Sequence, residues 1–207
     1  GNEKTVTVEY DKVFAGIKSA NMYSNGKKYN TLYYATNDST ITAYIRVKEQ
    51  LKEVPTFTFK VGNTTYVAPE VKEAFHNADD KAAGIYRYQT TIKVADFNPE
   101  NGDVSFVVSN IQDKAGNKGA DVTAVTNKNV VRVDRTAPKS QYVAILSNKT
   151  ENHKYVTNGQ LVRVLAAFDE EINVTDKFVL TINGKNYKFQ RSQDTTKYEY
   201  IVEFRIP

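Results

Sequence analysis

Apolar residues recur at every second position through much of the chain, the period of a β-strand with one buried face. Ile41, Ala43, Ile45 and Val47 form one such set, and Phe57, Phe59 and Val61 a second. Tyr86, Tyr88, Thr90, Ile92 and Val94 form a third. The alternation predicts strands near 16–23, 39–48, 56–61, 64–68, 85–95, 103–109 and 120–133. Turn residues separate them: Gly62-Asn63 reads as a tight hairpin and Pro99–Gly102 as another turn. Glu70–Phe75 reads as a short helical turn. Short strands divided by turn signals in this way point to a β-sandwich.

The pattern occurs twice. A shift of 121 residues, without gaps, places Thr36-Asn37 on Thr157-Asn158. It places Ile41, Ala43, Ile45 and Val47 on Val162, Val164, Ala166 and Phe168, and Glu49 on Glu170. Phe57, Phe59 and Val61 fall on Phe178, Leu180 and Ile182, and Tyr66 falls on Tyr187. Asn183-Gly184 then repeats the hairpin with the stronger turn dipeptide. A shift of 112 residues resumes the match, pairing Tyr86, Tyr88, Thr90, Ile92 and Val94 with Tyr198, Tyr200, Val202, Phe204 and Ile206. The difference falls in the stretch Pro69–Gly84. Ser24-Asn25-Gly26-Lys27 and Ser147-Asn148-Lys149 are matching early turns. Self-similarity of this kind marks an array of one structural unit.

The boundaries follow. Val131-Arg-Val-Asp134 closes the first repeat, and Val8-Glu-Tyr-Asp11 holds the same place near the start. Residues 1–10 are therefore expected to end a preceding unit or to form an opening strand, with repeat one over 11–134 and repeat two over 135–207. The counterparts of 103–109 and 120–133 are missing from repeat two. The expectation is a clipped unit, or completion of its edge by another chain, because an unfinished sheet leaves backbone groups unpaired.

Composition narrows the class. The chain of 207 residues holds 14 Tyr and 10 Phe, material enough for two cores, and no Trp. It has no Cys, which excludes disulfides, thiolate metal sites and cysteine catalysis. The net charge of +4 comes from scattered basic residues with no long run. Such a surface is soluble and weakly attracted to anionic polymers such as those of a cell wall, and it gives no sign of nucleic-acid recognition. No segment has the length and apolarity of a membrane span.

Three motifs carry a family resemblance. Asp134-Arg-Thr-Ala-Pro138 resembles the Asp-x-Thr-Ala-Pro linker of tandem bacterial immunoglobulin-like (Big-type) repeats. Gln112–Asn117 resembles their Asp-x-Ala-Gly-Asn hairpin. Phe168–Ile172 with Phe178–Gly184 resembles their Phe-x-Glu-x-Val…Phe-x-Leu-x-x-Gly stretch. Repeat one departs from the pattern at Val47-Lys-Glu49 and at Asp11–Ala15, so its membership rests on the alignment to repeat two. The resemblance implies two immunoglobulin-like sandwiches and export to a cell surface, cell wall or medium. Abundant Lys, Asn and Tyr fit a Gram-positive source. Such repeats serve as stalks, adhesin shafts or accessory regions beside a protease or glycosidase, with neighbouring repeats of the same chain as their first partners.

Candidate chemistry is sparse. His76 and His153 both lie in polar, loop-like contexts, and no Gly-rich phosphate loop or nucleophile elbow occurs, so no enzyme is expected. Carboxylates gather where the fold would place one pole of each unit. Repeat one offers Asp11, Glu49, Asp113 and Asn117, and repeat two offers Asp134, Asp169, Glu170 and Glu171. Oxygen donors in this number suit Ca²⁺ at the domain junctions. The plainer reading makes Asp113 and Asn117 turn caps and leaves no cofactor required. No Lys–Asn pair stands out for an isopeptide bond. Four Asn-x-Ser/Thr sequons, at Asn37, Asn63, Asn148 and Asn173, read as incidental. Tyr33 and Tyr34, with Tyr23 and Tyr29, expected in the loop before the second strand, are the candidates for an exposed patch that takes a host glycan or glycoprotein. The plainer reading packs two of them on the sandwich edge.

Overall fold

The computed structural model describes residues 10–147, 155–172, 174, 177–193 and 198–206. The opening residues 1–9, His153 and the sequons at Asn148 and Asn173 lie outside that set, as does most of the Ser147–Lys149 turn. The chain divides into two compact units, Gly1–Thr136 and Ala137–Pro207. The division falls inside the Asp134–Pro138 stretch. About half the chain is strand and 5% is helix, so the protein is all-β.

Among the described residues, unit 1 carries eleven strands. They are β1 (Ile17–Ser24), β2 (Lys28–Tyr29), β3 (Leu32–Ala35), β4 (Thr40–Val47), β5 (Thr56–Val61), β6 (Thr64–Val67) and β7 (Lys72–Ala74). After helix α1 (Ala78–Ala82) comes β8 (Tyr86–Lys93). After the single turn α2 (Val94–Phe97) come β9 (Gly102–Asp103), β10 (Ser105–Ser109) and β11 (Val130–Val133). They make one sheet in the order β1-β4-β8-β7, a second β10-β5-β6 and a third β2-β3-β11-β9. All pairings are antiparallel except β11 with β3, which run parallel.

One face of every sheet reaches the same core. Ile41, Ala43, Ile45 and Val47 of β4 are fully buried beside Phe57, Phe59 and Val61 of β5. Phe106 and Val108 of β10 and Val131 and Val133 of β11 join them. This is the period-2 pattern converted into burial, at about 1.5–3 kcal/mol for each large apolar side chain removed from water. Tyr88 is buried with its ring in the core, and its hydroxyl accepts the Leu51 backbone N–H at 2.8 Å. Burial pushes the Tyr88 phenol pKa well up.

Unit 2 carries β12 (Ser140–Ser147), β13 (Leu161–Phe168), β14 (Val179–Ile182), β15 (Lys185–Lys188), β16 (Gln190–Arg191) and β17 (Tyr198–Arg205). Its sheets are β12-β13-β17-β16 and β14-β15, all antiparallel. The plan is that of unit 1. Ile45 faces Ala20 across β4–β1, and Ala166, 121 residues later, faces Val143 across β13–β12. Phe59 faces Tyr66 in β5–β6, and Leu180 faces Tyr187 in β14–β15. The buried tyrosine recurs too: the Tyr200 hydroxyl accepts the Ile172 N–H at 2.9 Å and donates to the Ile172 carbonyl at 3.1 Å. Asn183 and Gly184 both have positive φ, which a two-residue type I′ hairpin requires.

Three sequence expectations need correction. Residues 70–75 do not form a helical turn. Lys72–Ala74 instead pairs with the edge of β8 at Arg87, Tyr88 and Gln89, and the helix starts later, where the Asn77 side chain accepts the Asp80 N–H at 2.8 Å. The strand expected over 120–133 is regular only at Val130–Val133. Upstream, Val122 makes an isolated bridge to Val108, and the Thr126 N–H donates to the Ala20 carbonyl at 2.7 Å while the Thr126 hydroxyl accepts the Ala20 N–H at 3.3 Å. Tyr29, Tyr33 and Tyr34 belong to β2 and β3, not to a loop.

Candidate functional site

The Gln112–Asn117 hairpin builds one pole of unit 1. The Asp113 N–H donates to the Asn117 carbonyl at 3.0 Å, and Gly116 supplies the positive φ that closes the turn. The Asp113 carboxylate is buried. Its two oxygens accept the Asn117 backbone N–H and side-chain amide, each at 2.8 Å. Burial alone would raise the Asp113 pKa, but the Asn117, Gly116 and Ala115 donors outweigh it and hold the carboxyl below its usual range. Asp113 also bridges to Leu51, next in chain to Glu49-Gln50, which ties the hairpin to the end of β4.

Carboxylate oxygens of Asp11, Glu49 and Asp113 lie within 4.8 Å of one another. Asn117 completes the expected set, with its side-chain amide 3.5 Å from the Asp11 carbonyl. Each acid has a local use. Asp11 accepts the Val13 N–H at 3.2 Å, and Glu49 accepts the Ala15 N–H. No Lys or Arg pairs with these three carboxylates among the described residues. Three hard, anionic oxygen donors at that spacing match the ligand class of Ca²⁺, and they repel one another unless a cation lies close.

The second expected set is arranged differently. In unit 1, Asp134 accepts the Thr136 N–H at 3.1 Å. In unit 2, Asp169 accepts the Lys139 N–H at 2.8 Å, and Glu171 pairs with Arg191 at 2.7 Å. Glu170 lies between those two. Asp169, Glu170 and Glu171 do not converge as a trio among the described residues, because two of them are turned to separate local donors.

The tyrosine candidates split between two sides of β3. Tyr33 packs partly on the core and lies 6.4 Å from Tyr23, so one of the pair serves the sandwich itself. Tyr34 meets Tyr29 edge-on at 6.0 Å, and Tyr29 is 43% exposed. Lys27 and Lys28 place their ammonium groups over Tyr29 and Tyr33, each at 4.8 Å.

One polar cluster escaped the sequence reading. Asp80 of α1 is buried on the outer side of the β1-β4-β8-β7 sheet. There it binds Arg46 through both guanidinium donors, one of them at 2.6 Å, and Lys18 at 3.2 Å. The Arg46 hydrogen bonds hold the Asp80 carboxyl below its usual range against the effect of burial. Nearby, Arg87 lies 4.1 Å over the Tyr44 ring and 3.2 Å from the His76 ring nitrogen, and His76 stacks on Tyr44. The available signal was Arg46, a charge inside the apolar run of β4 at an outward position. Asp79-Asp80 by itself reads as a solvated turn.

Fold and site together define an all-β protein of mostly antiparallel sheets with an acidic pole. No protein-family model matches the chain, and no curated protein matches it in sequence.

Proposed function

We propose that this chain is a non-catalytic structural module of a bacterial cell-surface or secreted protein, made of tandem immunoglobulin-like repeats that project or position another domain. One observation carries the reading. The same sheet plan, register and buried tyrosine recur in both units, as Tyr88 with Leu51 and Tyr200 with Ile172. A duplicated scaffold in which each unit builds its own core is what a spacer requires. Antibodies raised against the chain should label intact cells of its source. Labelling only after lysis, with the protein confined to the cytosol, contradicts the reading.

Within that reading, the Asp11–Glu49–Asp113 pole with Asn117 takes Ca²⁺, which would stiffen the start of the unit by joining Asp11 to the hairpin and the end of β4. Calorimetric titration with Ca²⁺ should give heat and a raised melting temperature for unit 1, and Glu49→Gln should reduce both. No heat and no thermal shift would end the assignment.

A second reading, a binding module for cell-wall polymer, host glycan or glycoprotein, draws support from the Tyr29–Tyr34 pair beside Lys27. A glycan array separates the two, because Tyr34→Ala should abolish a genuine signal while Tyr33→Ala also disturbs packing. An accessory role beside an envelope protease or glycosidase fits the same scaffold, and the full reading frame would show the catalytic domain.

A further inference from the structure

Unit 1 carries extra chain in its middle. The two repeats differ by nine residues, the difference between the shifts of 121 and 112, and the extra length falls in the stretch that holds α1, between β7 and β8. Residues 75–84 fold back as a cap on the outer face of the β1-β4-β8-β7 sheet. Asp80 reaches Arg46 and Lys18, His76 lies against Tyr44 and Arg87, and Phe75 packs on Tyr86 at 4.9 Å. The face that receives the cap is cationic. Arg46 and Arg87 stand opposite each other across β4 and β8, and Lys18 comes to the same carboxylate from β1. Asp80 is the one carboxylate that pairs with any of these three cations among the described residues.

Donors are left over on that face. Arg87 Nε and Ser19 Oγ are buried and have no hydrogen-bond partner among the described residues, and neither has the Oδ1 of buried Asn21. Ser19 stands opposite Arg46 and Asn21 opposite Tyr44, so all lie in two adjoining rows of one face. The Asn21 amide donates to the Tyr44 hydroxyl at 2.9 Å; turned over, it would accept that hydroxyl and present its own N–H groups to the cluster. The cations and the extra chain occur together. In unit 2, Arg46, Tyr44 and Arg87 correspond to Ala167, Leu165 and Glu199, and the equivalent four-stranded sheet forms without either feature.

We propose that this face is a binding site for a phosphoryl group, closed by a cap whose Asp80 is the built-in competitor. When the cap lifts, Asp80 leaves, and phosphoryl oxygens take the donors of Arg46, Arg87, Lys18 and Ser19. The donor set selects the ligand. A carboxylate has two oxygens, which Asp80 places on Arg46 and Lys18, and Arg87 Nε and Ser19 Oγ stay unpaired. A phosphoryl group has more acceptor oxygens and more charge, and it pairs bidentately with arginine. A buried donor without an acceptor is unfavourable, so the closed cap rests on a face that an oxyanion improves. The orphaned atoms have almost no accessible surface, so a ligand enters only when the cap is open, and its apparent affinity falls by the fraction of time the cap is closed. The site is independent of where the protein works, so its failure and the failure of the cell-surface reading are separable.

Calorimetric titration of the full 207-residue protein tests the site, with inorganic phosphate, methyl phosphate and dimethyl phosphate as probes and acetate as control. Phosphate should bind, and acetate should bind at least about tenfold more weakly. Methyl and dimethyl phosphate tell a phosphomonoester from a chain diester as the source, and binding of either supports the site. Asp80→Asn removes the competitor and should tighten phosphate by about tenfold or more, with a larger rise in melting temperature on adding phosphate than the parent shows. Arg87→Gln removes a cation that pairs with no carboxylate, so β4 should keep its amide exchange while phosphate weakens by about tenfold or more; this variant also keeps the test readable where Asp80→Asn fails to fold. Absence of phosphate binding in both parent and Asp80→Asn, acetate binding as tight as phosphate, a folded Asp80→Asn that binds no more tightly than the parent, or an Arg87→Gln without effect overturns the proposal.

Discussion

Unit 1 and unit 2 place the same alternating pattern on the same strands and arrive at different interiors. Phe59 is fully buried and its counterpart Leu180 is half-buried; Met22 is covered and Ile145 is open. The pattern thus settles which face of a strand points inward. How dry that face becomes depends on what lies over it, and in unit 1 the cover is β10 and the stretch from Val122 to Val133. Apolar periodicity is a statement about direction, and burial is a statement about neighbours.

The sharpest way to break this comparison is to cut equivalent side chains. Phe59→Ala empties a closed core and should cost unit 1 about 3–5 kcal/mol, while Leu180→Ala removes a partly hydrated side chain and should cost unit 2 at most about 2 kcal/mol. Urea titrations read by amide exchange in each unit check both. Equal losses would mean that the two interiors are equally closed.

Acid sharpens it next. The Asp80 carboxyl is held below its usual range in the folded state, so the stability it lends is present above the unfolded value near 3.9 and is lost as the pH falls through the lower folded value. Unit 1 should therefore weaken below about pH 4. Asp80→Asn should destabilise unit 1 at neutral pH, because Arg46 and Lys18 lose their partner, and should flatten that part of the acid dependence without altering unit 2. Thermal melts between pH 2 and 7, read separately for each unit, give the answer.

The smallest difference is expected at the repeated tyrosine. Tyr88→Phe leaves the Leu51 N–H without its acceptor and should cost about 1–3 kcal/mol. Tyr200→Phe leaves the Ile172 N–H in the same condition, in a looser setting that admits water, and should cost toward the low end of that range. Denaturant midpoints of the two variants compare them directly.

Much of this was legible in the sequence because strands with one buried face announce themselves by period 2. The strands β4, β5, β6 and β8 fall within a residue or two of their expected bounds, and so does the hairpin at Asn183-Gly184. Asp11, Glu49, Asp113 and Asn117 were grouped by the pole that an immunoglobulin-like sandwich would give them, and the three carboxylates do lie within 4.8 Å of one another. What escaped lacks periodicity. Lys72-Glu73-Ala74 is exposed at every position, so nothing in its pattern marks an edge strand. The stretch 120–129 is polar and irregular, held by single contacts such as Thr126 to Ala20. Asp80 became a buried ion-pair partner only because the β7–β8 connection folds α1 back over Arg46, a long-range event that no local window contains.

Amide hydrogen exchange of the unliganded protein, compared between Thr56–Val61 and Val179–Ile182, tests the central claim most directly. With β5 flanked on both sides and β14 on one among the described residues, β5 should be protected along its whole length, and β14 should be protected only at the alternate amides that β15 holds. Uniform protection of β14, matching that of β5, would contradict the account of unit 2 as an open copy of unit 1.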